Sequence, residues 1–544
     1  MEWHKSIIDI ANVAKLDGLV LYGAGFWGDK ALQIFSLFDV SPLCFCDDDI
    51  KKHGTKKNEV LCISLEEAVE LYPQAVYLVC VDETPTIGNY EREARTNMIQ
   101  KLKEYGVYSK HTEIHLVYYI FLLDIDIQAV SEEIIPSETK EFFMPEDVNH
   151  ILLFNNMSNS GAYYFEQLVD GHENFLFLPY IESLQRVYEK RMRFLTGEEL
   201  LIEMAAQLLG YFHSHMEEEP CIRMHKFQSF CVDAQGVFRK EVLVHPDDFL
   251  YWLKLVLQGK KTLESYAEML KLYFTAYANC LGRKKEKNQE YWLFYHMHLA
   301  NYDVHSTYQH IKSTDFQRIE NLIIIREPVQ HLYSWIKRVV LQQKNRKTLS
   351  GSWFSDVLKS DLGEMVKRRE GIDNVRVIRF EDLKHNNEKT MLAFCQWLDI
   401  PYSENMKETT LNGYQIYFPA NTPSGVKYIT GNDLTAVNSK DFSEVMTKWD
   451  EVRFNIFFGR FKYAYGYDVS YPDLTKFSVS FLEEMLEEPF KMESLVSDLF
   501  KEKGRETLAD GRVMHDVIKQ VLLNEAKSDL SRILWYKYIG QEFE

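Results

Sequence analysis

Apolar and polar positions divide this chain into two stretches of alternating strand-like and helix-like segments, followed by a helical tail. In the first stretch, the apolar run Gly18 to Tyr22 stops at Gly23-Ala24-Gly25-Phe26-Trp27-Gly28, and a helical pattern follows from Asp29 to Phe38. A second apolar segment, Leu43 to Cys46, ends in Asp47-Asp48-Asp49. The helical stretch Leu65 to Leu71 precedes a third, Val76 to Val81. Strands alternating with helices in this order predict a parallel sheet with right-handed crossovers, a small Rossmann-like domain over residues 1–125. Residues 126–149 are acidic, contain Pro136 and Pro145 and have no period, which reads as an interdomain linker.

A second α/β domain is expected over residues 150–470, with strands at Ile151 to Phe154, Cys221 to Met224, Leu322 to Ile325 and Val375 to Arg379. Long helical patterns lie between them, including Phe249 to Leu257 and Leu263 to Ala278. Residues 471–544 read as amphipathic helix throughout, as in Phe481 to Leu486 and Val513 to Leu523. The fold class is therefore α/β: two parallel-sheet domains, one Rossmann-like and one larger and P-loop-like, plus a helical tail.

Two strand–turn–helix junctions carry candidate chemistry. Gly23, Gly25 and Gly28 have the GxGxxG spacing, which suits a tight turn, a close backbone approach and a helix N-terminus aimed at an anion. Asp47, at the end of the second strand, is placed to accept ribose hydroxyls. The same glycines would also serve a plain turn that packs the helix on the sheet. In the larger domain the first strand runs into Asn155-Asn156-Met157-Ser158-Asn159-Ser160-Gly161-Ala162, and a helix begins near Tyr163. Such a loop aims backbone N–H groups and a helix dipole at a phosphate. It lacks the Gly-Lys-Ser/Thr ending of a Walker loop, so ATP hydrolysis loses its lysine and its magnesium ligand. Arg326 leaves the carboxyl end of another strand, Pro328 suits the first turn of the following helix, and Ser334 offers a hydroxyl two turns in. Arginine plus hydroxyl makes a phosphate clamp.

The net charge of −19 argues against non-specific binding to nucleic acid or anionic membranes, and it requires a local basic pocket for any anionic cofactor. The eight cysteines are scattered without metal-ligand spacing, as expected for reduced thiols. The N-terminus lacks signal-peptide order, and the apolar run Leu116 to Leu123 is too short to span a bilayer, so a cytoplasmic location is expected.

The stretch IIIREPVQHLYSW resembles the 3′-phosphate-binding motif of sulfotransferases that use 3′-phosphoadenosine-5′-phosphosulfate. SNSGAYYFEQLVDGHENFLFLP is similar to their 5′-phosphosulfate loop and helix, and the segment from RFEDL to WLDIP resembles the strand and helix that follow. The resemblance covers residues 150–470 in the family's order. It implies that Arg326 and Ser334 hold the 3′-phosphate and that Ser158, Asn159, Ser160, Gly161 and Ala162 form the phosphosulfate loop. Asn159 stands where the family carries a base, and Ala162 where it carries a hydroxyl. Lys226, Arg223 and Lys427 are candidate substitute cations, Lys427 also as part of a loop closing over the nucleotide. The resemblance implies transfer of a sulfuryl group to a hydroxyl acceptor, glycans included, with no metal. His225 is the expected base and Glu182 the alternative. His296 and His298 are further candidates; on a helix, two residues apart, they would face different directions. The segment CFCDDDIKKHG, with the strand and helix patterns after it, resembles small Rossmann-like domains attached to bacterial glycan-modifying enzymes, which implies a nucleotide or nucleotide-sugar ligand. Two other functions fit: a non-catalytic nucleotide-binding protein, or an NAD-dependent oxidoreductase built on Gly23 to Gly28.

Overall fold

The computed structural model describes residues 6–81, 89–109, 112, 114, 116, 119–123, 125, 142–156, 160–178, 184–212, 232–237, 239, 244–287, 289–298, 311, 316–337, 375–422, 425–432, 441–502, 511–527 and 537–539. The chain forms two compact units. One comprises Met1–Asp147, Leu184–Val232 and Val237–Gln289; the other comprises Val148–Ser183, Asp233–Gly236 and Glu290–Glu544. The architecture is α/β, with a parallel sheet in each unit.

In the first unit β1 (Leu19–Tyr22), β2 (Cys44–Cys46), β3 (Lys56–Lys57), β4 (Val60–Ile63) and β5 (Val76–Val79) lie in the order β3-β4-β2-β1-β5. β4, β2, β1 and β5 are parallel, while β3 returns antiparallel along β4. Every residue of β1, β2 and β5 is buried, as a parallel sheet covered on both faces requires. The β3–β4 ribbon follows no apolar alternation. It is made by its turn, where Asn58 and Glu59 both take positive φ, 45° and 65°.

The helices Gly197–Phe212, Pro246–Leu257 and Tyr266–Cys280 also belong to this unit, although the sequence reading placed them in the second domain. Long-range polar contacts explain the difference. Glu203, fully buried, accepts hydrogen bonds from the Tyr119 hydroxyl (2.8 Å) and the Ile7 N–H (3.3 Å), and it pairs with Arg191 at 2.5 Å. Ser6 donates to Glu199 at 2.8 Å. The end of the expected linker is likewise packed. Phe143 is fully buried, and Asn279 bonds both its N–H (2.8 Å) and its carbonyl (2.9 Å). Residues 126–141 of that linker lie outside the described residues.

In the second unit β6 (Val148–Asn156), β7 (Phe175–Phe177), β8 (Tyr291–His298), β9 (Arg318–Ile325) and β10 (Val375–Arg379) build the sheet. Two hairpins follow, β11 (Thr410–Leu411) with β12 (Tyr414–Gln415), and β13 (Tyr417–Thr422) with β14 (Gly425–Thr430). β15 (Lys537–Tyr538) comes back to the sheet, whose order is β15-β10-β9-β6-β8-β7 with every pair parallel. Phe154, Phe165, Phe175, Phe294 and Phe394 fill the core beside β6. From β6 the chain crosses to the edge strand β7, returns inward to β8 beside β6, and then crosses to β9 on the other side of β6, so the carboxyl end of β6 is a topological switch point, where open α/β sheets bind ligands.

Two expectations need correction. The segment carrying His296 and His298 is strand β8, not helix; its run of aromatic residues suits a buried pleated strand. The tail is not helical throughout, because β15 pairs with β10. The strand expected at Cys221 to Met224 lies outside the described residues. Among the described residues, no helix is long and apolar enough to cross a membrane.

Candidate functional site

In the first unit the glycine turn is sterically determined. A Cβ on Gly28 would meet the Gly23 carbonyl oxygen at 2.2 Å and the Phe45 ring at 3.1 Å, so helix Phe26–Ser36 sits on the turn only because residue 28 has no side chain. Gly25 caps that helix without a side-chain bond, and nothing lies within 4 Å of its Cβ position. Asp47 is bound into the turn. It accepts the Ala24 N–H at 2.7 Å, the Asp49 N–H at 2.9 Å and the Lys52 ammonium at 2.8 Å. Burial pushes its carboxyl upward, but these bonds from Lys52, Asp49 and Ala24 outweigh burial and hold it below the usual carboxylate value. Both oxygens expected to meet ribose hydroxyls thus already serve the domain. The adjoining Asp48 accepts the Tyr22 hydroxyl at 2.8 Å and pairs with Lys101 at 2.9 Å.

In the second unit the corresponding junction follows β6. Gly161 takes φ +94°, the left-handed region, and caps helix Ala162–Val169. A Cβ there would fall 2.0 Å from Cδ2 of Phe380, so the turn lies directly on that ring. Phe380 is the first residue of helix Phe380–His385, immediately after β10. The Arg326 guanidinium lies over the same ring, its Cζ 5.2 Å from the ring centroid. Arg326 is the first residue past β9, whose Ile324 stands in register with Asn156 of β6. One aromatic side chain therefore joins the two features that the sequence separates by more than 150 positions.

The polar groups here are incompletely satisfied. Ser160 is fully buried, and its hydroxyl has no partner among the described residues. Nε of Arg326 is also buried without an acceptor among them. Burial lowers the proton affinity of the Arg326 guanidinium, opposed by Glu381, Tyr467 and Glu327 nearby. An arginine remains charged under such a shift. The neighbouring carboxylates have other bonds. Glu381 accepts the Glu327 N–H and the Tyr467 hydroxyl, each at 3.0 Å, and burial raises its pKa. Glu327 caps helix Pro328–Ile336 through the Gln330 N–H at 2.8 Å and pairs with Lys462 at 3.1 Å. Asp382 is held by Arg379 in two bonds, 2.8 and 2.6 Å. Glu381 and Asp382 thus brace the ends of β9 and β10 around Arg326.

Ser334 is half-buried on helix Pro328–Ile336, as its spacing from Arg326 suggested. Lys427 is exposed on β14 of a hairpin, opposite Ala420, and not on a loop. Ala162 starts its helix and is buried. Ser158, Asn159, Glu182, Arg223, His225 and Lys226 lie outside the described residues. Two features went unread in the sequence. Phe380, the shared ring, gave no signal beyond its place at a strand end. Lys384 holds its ammonium 3.9 Å from the centroid of Tyr164, which lies in the first turn after Gly161, and so adds a cation near the junction. Tyr164 meets Phe380 edge-on at 6.2 Å, which makes it packing for the shared ring.

No family model matches the chain, and no curated protein matches it. Among solved structures, a sulfotransferase domain from the curacin biosynthetic pathway is similar at 12% identity and a TM-score of 0.25, covering 48% of this chain and 77% of that one. At that distance the site is read from its own residues.

Proposed function

We propose that the second unit transfers a sulfuryl group from 3′-phosphoadenosine-5′-phosphosulfate to a hydroxyl acceptor, glycans among the candidates. One observation carries this reading: a half-buried guanidinium, whose Nε is buried without an acceptor among the described residues, shares the Phe380 ring with a left-handed glycine turn, at the switch point of a parallel sheet. A doubly phosphorylated nucleotide supplies what both halves lack. The 3′-phosphate would accept from Arg326 and Ser334, and the 5′-phosphosulfate would accept from the N–H groups of the turn and the Ser160 hydroxyl. Charge developing on the bridging oxygen needs fixed donors, which the helix N-terminus would provide. The first unit would bind a nucleotide or nucleotide sugar. The NAD reading has weaker support, because Asp47 is spent on the turn itself.

The test is calorimetric titration of the full chain with adenosine 3′,5′-bisphosphate, followed by assay of bisphosphate release from the phosphosulfate donor. Binding that Arg326→Met weakens at least about tenfold, a charge-assisted bond's worth, supports the reading. Absence of binding, with stabilisation by NAD instead, rejects it. Binding without release points to the non-catalytic alternative.

A further inference from the structure

Arg379 ends β10 one position before Phe380, and its guanidinium gathers the segments around the candidate site. It donates to Asp382 at 2.8 and 2.6 Å, to the Tyr465 carbonyl at 3.0 Å and to the Gly466 carbonyl at 2.9 Å. Holding those carbonyls places Tyr467, whose hydroxyl donates to Glu381 at 3.0 Å. Glu381 in turn accepts the N–H of Glu327, the residue after Arg326, at 3.0 Å. Two aromatic rings lie against the same guanidinium: Tyr467, its centroid 5.2 Å from Cζ, and Tyr538 of β15, at 5.0 Å. β15 itself is slight. Lys537 and Tyr538 pair with Arg376 and Val377, and the Ile539 N–H donates to the Val377 carbonyl at 3.0 Å. Ile539, 3% exposed, enters the core that holds Ile324, Ile378 and Leu383. So short a strand belongs to the low-stability end of a structure and opens locally, without global unfolding. Covering the edge of β10 against other strands needs backbone pairing alone. A ring set on the arginine that leads to Glu381 and Glu327 does more, because it links the strand to the site.

We propose that Tyr538 is a positioning residue of the donor site, acting through Arg379, so that docking of β15 and binding of the doubly phosphorylated nucleotide strengthen each other; this rests on the sulfuryl-transfer reading above. With β15 docked, the Tyr538 ring holds Arg379 on Asp382 and on the carbonyls of Tyr465 and Gly466. Tyr467 then keeps Glu381 on the Glu327 N–H, which fixes the strand end that carries Arg326. With β15 displaced, Arg379 loses a ring and the series of contacts from Tyr467 through Glu381 to Glu327 loosens. The coupling is reciprocal: the factor by which docked β15 raises nucleotide affinity is the factor by which bound nucleotide favours docking of β15. The edge of β10 thereby becomes a place from which donor binding is regulated.

The experiment measures the affinity of the full chain for adenosine 3′,5′-bisphosphate in wild type, Tyr538→Ala, Tyr538→Phe and Leu482→Ala. Phenylalanine keeps the ring on Arg379 and alanine removes it. Leu482, 1% exposed in helix Val479–Met485, is a buried position outside the candidate site, and its truncation controls for lost stability. Affinity should fall about fivefold or more in Tyr538→Ala and stay at the wild-type value in Tyr538→Phe and Leu482→Ala. Hydrogen exchange at the Ile539 amide gives the reciprocal readout and carries the test alone if Tyr538→Ala does not fold. Saturating bisphosphate should slow that exchange in wild type by about fivefold or more. Wild-type affinity in Tyr538→Ala overturns the proposal, as does Ile539 exchange that the bisphosphate leaves unchanged. An equal loss of affinity in Leu482→Ala overturns it by making the effect one of stability, and an equal loss in Tyr538→Phe removes the ring contact as its cause. Wild type that does not bind the bisphosphate defeats the underlying reading, and this proposal with it.

Discussion

The two strand–turn–helix junctions are built on one plan and finished differently. After β1 the polar groups are met from within: Asp47 accepts the turn's own Ala24 N–H and is neutralised by Lys52. After β6 the Ser160 hydroxyl and the Arg326 Nε are buried without partners among the described residues. Buried polar atoms left unmet are costly and uncommon, and they gather where something else is to be bound. A glycine-rich turn therefore signals geometry, while the state of its neighbours separates a structural turn from a candidate site.

The sharpest break of this comparison is steric and should affect both junctions. Gly28→Ala and Gly161→Ala each drive a Cβ into an atom 2.0–2.2 Å away. Each should destabilise its unit by about 3 kcal/mol or more, measured by hydrogen exchange at the junction. Loss below about 0.5 kcal/mol at either would show that the turn relaxes freely.

Arg326→Met comes next and should separate binding from stability. It keeps the aliphatic stem and removes a charge whose Nε has no acceptor among the described residues. Bisphosphate affinity should fall about 10- to 100-fold, while the unfolding midpoint changes little or rises. Marked destabilisation would make Arg326 a structural residue.

Asp47→Ala should do the opposite. Breaking its bonds to Ala24, Asp49 and Lys52 should destabilise the first unit by about 1–3 kcal/mol, with no effect on bisphosphate affinity. The pH dependence has a defined sign. The folded carboxyl titrates below its unfolded value of about 3.9, so its contribution is present above that pH and is lost as pH falls through the lower folded value. Asp47→Asn should flatten that acid limb in a melting series from pH 5 to 2; an unchanged limb would mean other carboxylates set it.

The smallest effect is expected for Gly25→Ala. Its Cβ position is open and its φ is −103°, so stability should change by less than about 0.5 kcal/mol. A large loss of nucleotide or nucleotide-sugar binding in that variant would give the first turn a ligand after all.

Much of this was legible in the chain itself. Leu65–Leu71 and Val375–Arg379 fall where the periodicity places them, because an apolar stripe or run is a local property. The strand-end position of Arg326 and the glycines at both turns are local in the same sense. β8 was not legible. Its alternation is hidden by aromatic residues buried on both faces, and the histidines invited a helical reading. The two-residue strands β3 and β15 are set by a turn and by a neighbour, not by their own composition.

Sequence by itself determined the two parallel sheets and the strand–turn–helix junctions, since hydrophobic period and backbone sterics act over a few residues. Only the tertiary structure decided that Phe380 lies between Gly161 and Arg326, that Tyr538 meets Arg379, and that Asp47 fills its own turn. It also decided that the helices Gly197–Phe212, Pro246–Leu257 and Tyr266–Cys280 belong to the first unit. Each of these joins side chains distant along the chain. Packing and charge pairing choose such partners in three dimensions, and no local pattern encodes that choice.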